Sequence, residues 1–126
     1  MFALKNPSIL VVEDDGIIAL SLLELLQKSG YDVPDPVASG EEVLEYLRKF
    51  PCPDLILMDI TFAGGIDGIE TARQIRQTSD IPVIFISAHS DGERRIRASK
   101  ITHTGFIVKP FASRDVLSRI EELLHR

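Results

Sequence analysis

Four short apolar runs, each stopped abruptly by a charged or hydroxyl side chain, constrain this 126-residue chain more than any other feature. Ile9 to Val12 ends at Glu13-Asp14-Asp15, and Leu55 to Met58 ends at Asp59. Val83 to Ile86 ends at Ser87, and Gly105 to Val108 ends at Lys109. A strand that is apolar at every position has both faces covered, which is the mark of a parallel sheet clad in helices. The intervening segments supply those helices. Ile17 to Lys28 is apolar at Ile18, Leu22, Leu25 and Leu26, a helical spacing stopped by Gly30. Further helices are predicted over about Glu41–Lys49, with Ser39 as cap and Glu42 at the capping-box position, over Gly68–Thr78, and over Ser113–Leu124. A short, highly charged segment, Asp91 to Lys100, completes the set.

Asp32 to Val37 reads as a further strand, second in chain order. Pro34 and Pro36 stand a strand period apart and lose ladder donors on one side, which suits a water-facing edge. Strands and helices then alternate five times, and right-handed crossovers close them into an α/β fold. The expected architecture is a three-layer, doubly wound, five-stranded parallel sheet in the flavodoxin-like order 2-1-3-4-5.

Composition narrows the function. A chain of this length makes one domain with a full core, expected to occupy 1–126 with its core over about 8–125. Hydrophobic residues at 44% and charged ones at 26% argue against disorder. No apolar run is long enough for a membrane span, and the N-terminal residues lack a signal-peptide pattern, so no membrane partner is expected. The single cysteine, Cys52, cannot form an internal disulfide, and a cytoplasmic setting is the default. A net charge of −5 argues against direct nucleic-acid binding as a role.

Ligands of doubly wound sheets bind beyond the carboxyl ends of the strands. The residues that stop the apolar runs therefore converge: Glu13, Asp14, Asp59, Ser87 and Lys109. Clustered carboxylates repel one another, so a hard divalent cation is their natural occupant, and Mg2+ takes carboxylates, water and phosphate oxygens. An Asp carboxylate can attack phosphorus to give an acyl phosphate. Phosphoryl transfer asks mainly for positioning and for neutralised charge, which a metal, the Lys109 ammonium and the Ser87 hydroxyl can supply.

The pieces ILVVEDD, DLILMDI, IDGIE, PVIFISAH and GFIVKPF, in order and at strand ends, resemble the receiver domain of response regulators in two-component signalling. That CheY-like resemblance runs from about Ser8 to the end of the chain. It implies Asp59 as phosphoacceptor and Glu13 and Asp14 as the acidic pair, with Mg2+ held by Glu13, Asp14, Asp59 and the Thr61 carbonyl. It implies Ser87 and Phe106 as switch residues, Lys109 as the phosphoryl-binding cation, small Ala88 beside the phosphoryl approach, and a cis Lys109-Pro110 bond. Such a chain is an acceptor rather than an enzyme, catalysing at most its own aspartyl phosphorylation and dephosphorylation. Its implied partners are a histidine kinase or histidine phosphotransfer protein, a downstream protein or effector domain outside this chain, and a second copy in a phosphorylation-linked homodimer. Phosphorylation would switch the face made by the fourth helix, fifth strand and last helix.

The sequence departs from the family where Phe62-Ala63-Gly64-Gly65 replaces its usual post-acceptor proline and adds a residue before Asp67-Gly68. Thr61 and His89 flank the site as tuners of dephosphorylation. Asp15 reads as an ordinary helix-terminal acid. Ile17, Leu20 and Leu23 extend the first helix's apolar surface toward a partner, and Arg94, Arg95, Arg97 and Lys100 form a basic cluster anchored by Ile96. A vestigial receiver retained as a binding module is opposed by the intact Asp14, Asp59, Ser87 and Lys109. A flavin or nucleotide binder is opposed by Glu13-Asp14-Asp15, where a phosphate loop would have to stand.

Overall fold

The computed structural model describes residues 6–88 and 90–125. In chain order its elements are β1 (Ile9–Val12), α1 (Gly16–Lys28), α2 (Gly40–Lys49), β2 (Leu55–Asp59), α3 (Gly68–Arg76), β3 (Val83–Ser87), α4 (Gly92–Ala98), β4 (Thr104–Val108) and α5 (Ser113–Leu124). The strands are parallel and ordered β1-β2-β3-β4. This is the flavodoxin-like α/β arrangement with five helices, but its sheet has four strands rather than the expected five.

The correction falls on Asp32–Val37. This segment lies beside β1 as expected, yet it touches the sheet only through two isolated parallel bridges, Ser8 with Asp32 and Val12 with Val37. The Val37 N–H donates to Val11 and the Glu13 N–H to Val37, while Pro34 and Pro36 interrupt the ladder between the bridges. The prolines remove enough donors to dissolve the strand without releasing the segment from the sheet edge.

Side-chain alternation splits the core into two layers. Ile9, Val11, Leu55, Leu57, Ile84 and Ile86 face Leu22 and Leu26 of α1 and Val116, Ile120 and Leu123 of α5. Leu10, Val12, Ile56, Met58, Val83 and Phe85 face Val43 of α2, Ile69, Ala72 and Ile75 of α3, and Ala98 of α4. β1, β2 and β3 are buried at every residue, as their continuous apolar runs require. β4 alternates instead, with Gly105 and Ile107 buried and Phe106 half-buried, because it forms an edge and the seven-residue α4 covers it thinly.

The helix ends follow local chemistry. Asp15 caps α1 by accepting from the Ile17 and Ile18 N–H groups, the ordinary role expected of it. Ser39 Oγ accepts from Glu42 N–H, and the Glu42 carboxylate reaches back to Ala38 N–H, one residue beyond a strict capping box. The anchor assigned to α4 is corrected: Ile96 is 64% exposed, and the buried side chain of this helix is Ala98. On α1, Ile17 and Leu20 are exposed as expected, whereas Leu23 packs against the core. Among the described residues no helix is long and apolar enough to cross a membrane.

Arg76 ties the amino-terminal end of the sheet together. Its guanidinium donates to the carbonyls of Ser79, Thr102 and His103 at 2.8, 3.1 and 3.3 Å, and burial lowers its pKa. Arg76→Ala removes three hydrogen bonds that hold the segments before β3 and β4 together, so a loss of about 2 kcal/mol in unfolding free energy is expected by denaturant titration. A change below about 0.5 kcal/mol, the range of ordinary surface substitutions, contradicts that role.

Candidate functional site

The strand register assembles the site. Val12 pairs with Met58, so Glu13 emerges beside Asp59. Asp59 pairs with Ile86, which sets Ser87 at the next step, and Ser87 pairs with Val108, which sets Lys109 beyond it. A turn after each apolar run then points these side chains to one edge. The Lys109-Pro110 bond is cis, as the resemblance implies.

Asp59 is 7% exposed, and its Oδ1 accepts from the Thr61 N–H at 3.2 Å. Its Oδ2 lies 3.6 Å from Lys109 Nζ. Glu13 is 4% exposed; Oε2 accepts from the Asp15 N–H at 3.1 Å, and Oε1 has no hydrogen-bond partner. Burial, aided by the Asp59 charge, pushes the Glu13 carboxyl up to about 7 against the opposing pull of the Asp15 N–H and Lys109. Asp14 is exposed, and its Oδ2 accepts from the Ala63 N–H at 2.9 Å. One carboxylate oxygen from each of Glu13, Asp14 and Asp59 lies within 4.8 Å of the others.

This donor set fits a small hard cation. Three carboxylate oxygens this close would supply part of the oxygen shell of a Mg2+ ion, which ordinarily keeps several waters beside one or two carboxylates. The buried, unpartnered Glu13 oxygen is the kind of orphan that a cation or its water satisfies.

Ser87 is fully buried, and its Oγ also lacks a hydrogen-bond partner. Ala88 next to it is exposed. Phe106 stacks on Phe85 with ring centroids 5.6 Å apart and is half-buried. The expectation for His89 lies outside the described residues. Cys52 is exposed and free.

The glycine-bearing loop after Asp59 is held at both ends by carboxylates, Asp14 on Ala63 N–H and Glu41 on Ile66 N–H. Gly68 closes it against the back of Asp59, where a Cβ would collide with the Asp59 carbonyl oxygen. Sequence reasoning did not find a second contact: Arg94 donates to Thr61 Oγ1 at 2.7 Å. Nothing in the local pattern around Arg94 signals it, because the two residues are 33 positions apart and only the placement of α4 joins them.

A doubly wound parallel sheet with three carboxylates, a lysine and a buried hydroxyl at its carboxyl edge defines the class: a flavodoxin-like α/β domain with an acidic, cation-ready pocket. Within that class the chain belongs to the response regulator receiver domain family, whose sequence profile matches residues 9–121. It is 36% identical over 122 residues to the transcriptional regulatory protein BaeR of Escherichia coli, covering 97% of this chain and 50% of BaeR. To AfsQ1 of Streptomyces coelicolor it is 37% identical over 120 residues, covering 95% and 52% respectively. The chain thus spans about half the length of the curated relatives it matches. A solved structure from Chloroflexus aurantiacus, assigned to the response regulators, superposes with a TM-score of 0.88 at 30% identity, covering 97% of this chain and 100% of that one. Receiver domains act in two-component signalling between kinases and downstream effectors, and use Mg2+ at the acidic pocket.

Proposed function

We propose that Asp59 accepts a phosphoryl group from a histidine kinase or histidine phosphotransfer protein. The observation that carries this reading is the setting of the Asp59 carboxylate: almost fully buried, 3.6 Å from Lys109 Nζ, and grouped with Glu13 and Asp14. An Asp59 oxygen attacks phosphorus, the bond from phosphorus to the donor histidine nitrogen breaks, and that nitrogen keeps the electron pair. Lys109 takes part of the charge on the equatorial oxygens, and Ser87 Oγ donates to another of them. Glu13, Asp14, Asp59 and the Thr61 carbonyl would hold Mg2+, which supplies charge neutralisation and orientation.

Ser87 and Phe106 carry the switch in this reading. The unpartnered Ser87 hydroxyl gains an acceptor when a phosphoryl group arrives, so the phosphorylated state is favoured by a contact the resting state lacks. Ser87 and Phe106 stand on adjacent strands, and Phe106 faces the thinly covered side near α4. The face of α4, β4 and α5 then changes its affinity for a downstream protein, an effector domain or a second copy. A groove of about 460 Å³ that includes Lys109 and is otherwise lined by Ile17, Ser21, Leu25, Pro110 and Phe111 suits the phosphoryl donor's helix. The reading takes 1–126 as one receiver domain acting in the cytoplasm, to which the free Cys52 is suited.

Acetyl phosphate with Mg2+ should add the mass of one phosphoryl group to the intact protein, and Asp59→Asn should add none. Withdrawing Mg2+ should slow the gain sharply. Equal modification of the two proteins, or no Mg2+ dependence, rejects the assignment.

A further inference from the structure

The residues placed around Asp59 so far come from β1, β2, β3 and the loops that follow the strands, and α4 supplies none of them. It does supply Arg94. Arg94 Nη1 donates to Thr61 Oγ1 at 2.7 Å and lies 3.6 Å from Asp91 Oδ1. Thr61 in turn gives its N–H to Asp59 Oδ1. Asp91 Oδ2 accepts from the N–H of Ala88 at 2.9 Å, the residue after Ser87. One guanidinium therefore joins the neighbour of the acceptor to the segment that carries Ser87.

The helix bearing this arginine is otherwise lightly held. α4 has seven residues, one buried side chain in Ala98, and no side-chain cap bond from Asp91. Arg94 itself is weakly committed where it stands. Its hydrogen bond goes to a neutral hydroxyl, and its ion pair is longer than a hydrogen bond. A guanidinium carries five donors in a planar fork, and a doubly charged phosphoryl group is a stronger acceptor than either partner it now has.

We propose that Arg94 is a phosphoryl-binding residue: its guanidinium leaves Thr61 and Asp91 for the phosphoryl oxygens on Asp59, and α4 follows. The inference rests on the reading of Asp59 as acceptor. Lys109, after β4, and Arg94, from α4, then supply two cations from different elements. The second is what makes the position of α4 sensitive to the charge at the site. Asp91 opposes the transfer because it competes with the phosphoryl group for the same guanidinium.

That competition gives two substitutions opposite signs. Beryllofluoride, a stable phosphoryl mimic, is titrated with Mg2+ into the full chain and followed by amide and arginine side-chain NMR signals. The wild type binds and Asp59→Asn does not. Arg94→Ala weakens binding about tenfold, the scale of one charge-assisted contact, and Arg94→Lys restores part of it. Asp91→Asn tightens binding severalfold, and the Arg94 Nε–H signal moves on saturation in the wild type. If Arg94→Ala and Asp91→Asn both weaken binding while the Nε–H signal stays in place, Arg94 merely braces α4, and the proposal fails with the Asp59 reading intact. No binding by the wild type overturns both.

Discussion

Glu13→Gln raises the unfolding free energy at pH 8 in metal-free buffer by about 3 kcal/mol and leaves it almost unchanged at pH 4. The physical reason is the burial of a carboxyl with one unpartnered oxygen beside the Asp59 charge. Its pKa is pushed up to about 7 in the folded protein from an ordinary 4.5. Between these values the folded state keeps a proton that the unfolded state has released, so stability falls as pH rises. The stabilisation that Glu13 gives when protonated is fully present below about pH 4.5 and fully lost above about pH 7. A difference of two to three pKa units corresponds to about 3 kcal/mol. Gln matches the protonated side chain in shape, keeps an acceptor for the Asp15 N–H and never ionises. Mg2+ should narrow the gap, since a cation that binds only the folded state stabilises the wild type by mass action. Urea titrations of both proteins from pH 4 to 8 measure the effect. Parallel pH profiles for the two proteins would falsify this account of Glu13.

Gly68→Ala is expected to cost about 3 kcal/mol or more, the upper range for forcing an added methyl into a packed interior. Gly68 opens α3 directly behind the acceptor, and its N–H donates to Ile60 at 2.8 Å. A Cβ there would meet the Asp59 carbonyl oxygen and lie 3.0 Å from the Ile60 Cα, both backbone atoms of a buried segment. A flexible side chain could turn aside; a strand hydrogen-bonded in a parallel sheet cannot. Relief therefore requires α3 to retreat or Asp59 to move. The same substitution should lower phosphoryl incorporation in whatever fraction stays folded. The denaturation midpoint reads the stability loss, and a loss under about 0.5 kcal/mol would mean that α3 yields without cost.

Most of the site is legible in the order of the amino acids, and for one reason. Continuous apolar runs force strands buried on both faces, so the first polar residue after each run must sit at the carboxyl edge. Packing angles do not enter, and Glu13, Asp14, Asp59, Ser87 and Lys109 meet at that edge. Asp32–Val37 was harder to read. Alternating prolines mark an edge, but whether the remaining donors sustain a ladder depends on how that edge twists past β1, and two bridges are what survive. The phase of α4 was also out of reach. With one apolar side chain of any size, the helix has no stripe to orient it, and packing chose Ala98 over Ile96.

The layers, the strand ends and the chemical types that meet there follow from the order of the amino acids, because hydrophobic period and chain direction act locally. Packing between distant elements sets which oxygen of Glu13 is left without a partner, how thinly β4 is covered around Phe106, and that Arg94 reaches Thr61. Those outcomes depend on the separation and rotation of elements far apart in the chain. Such distances are set by packing, and no local pattern encodes them.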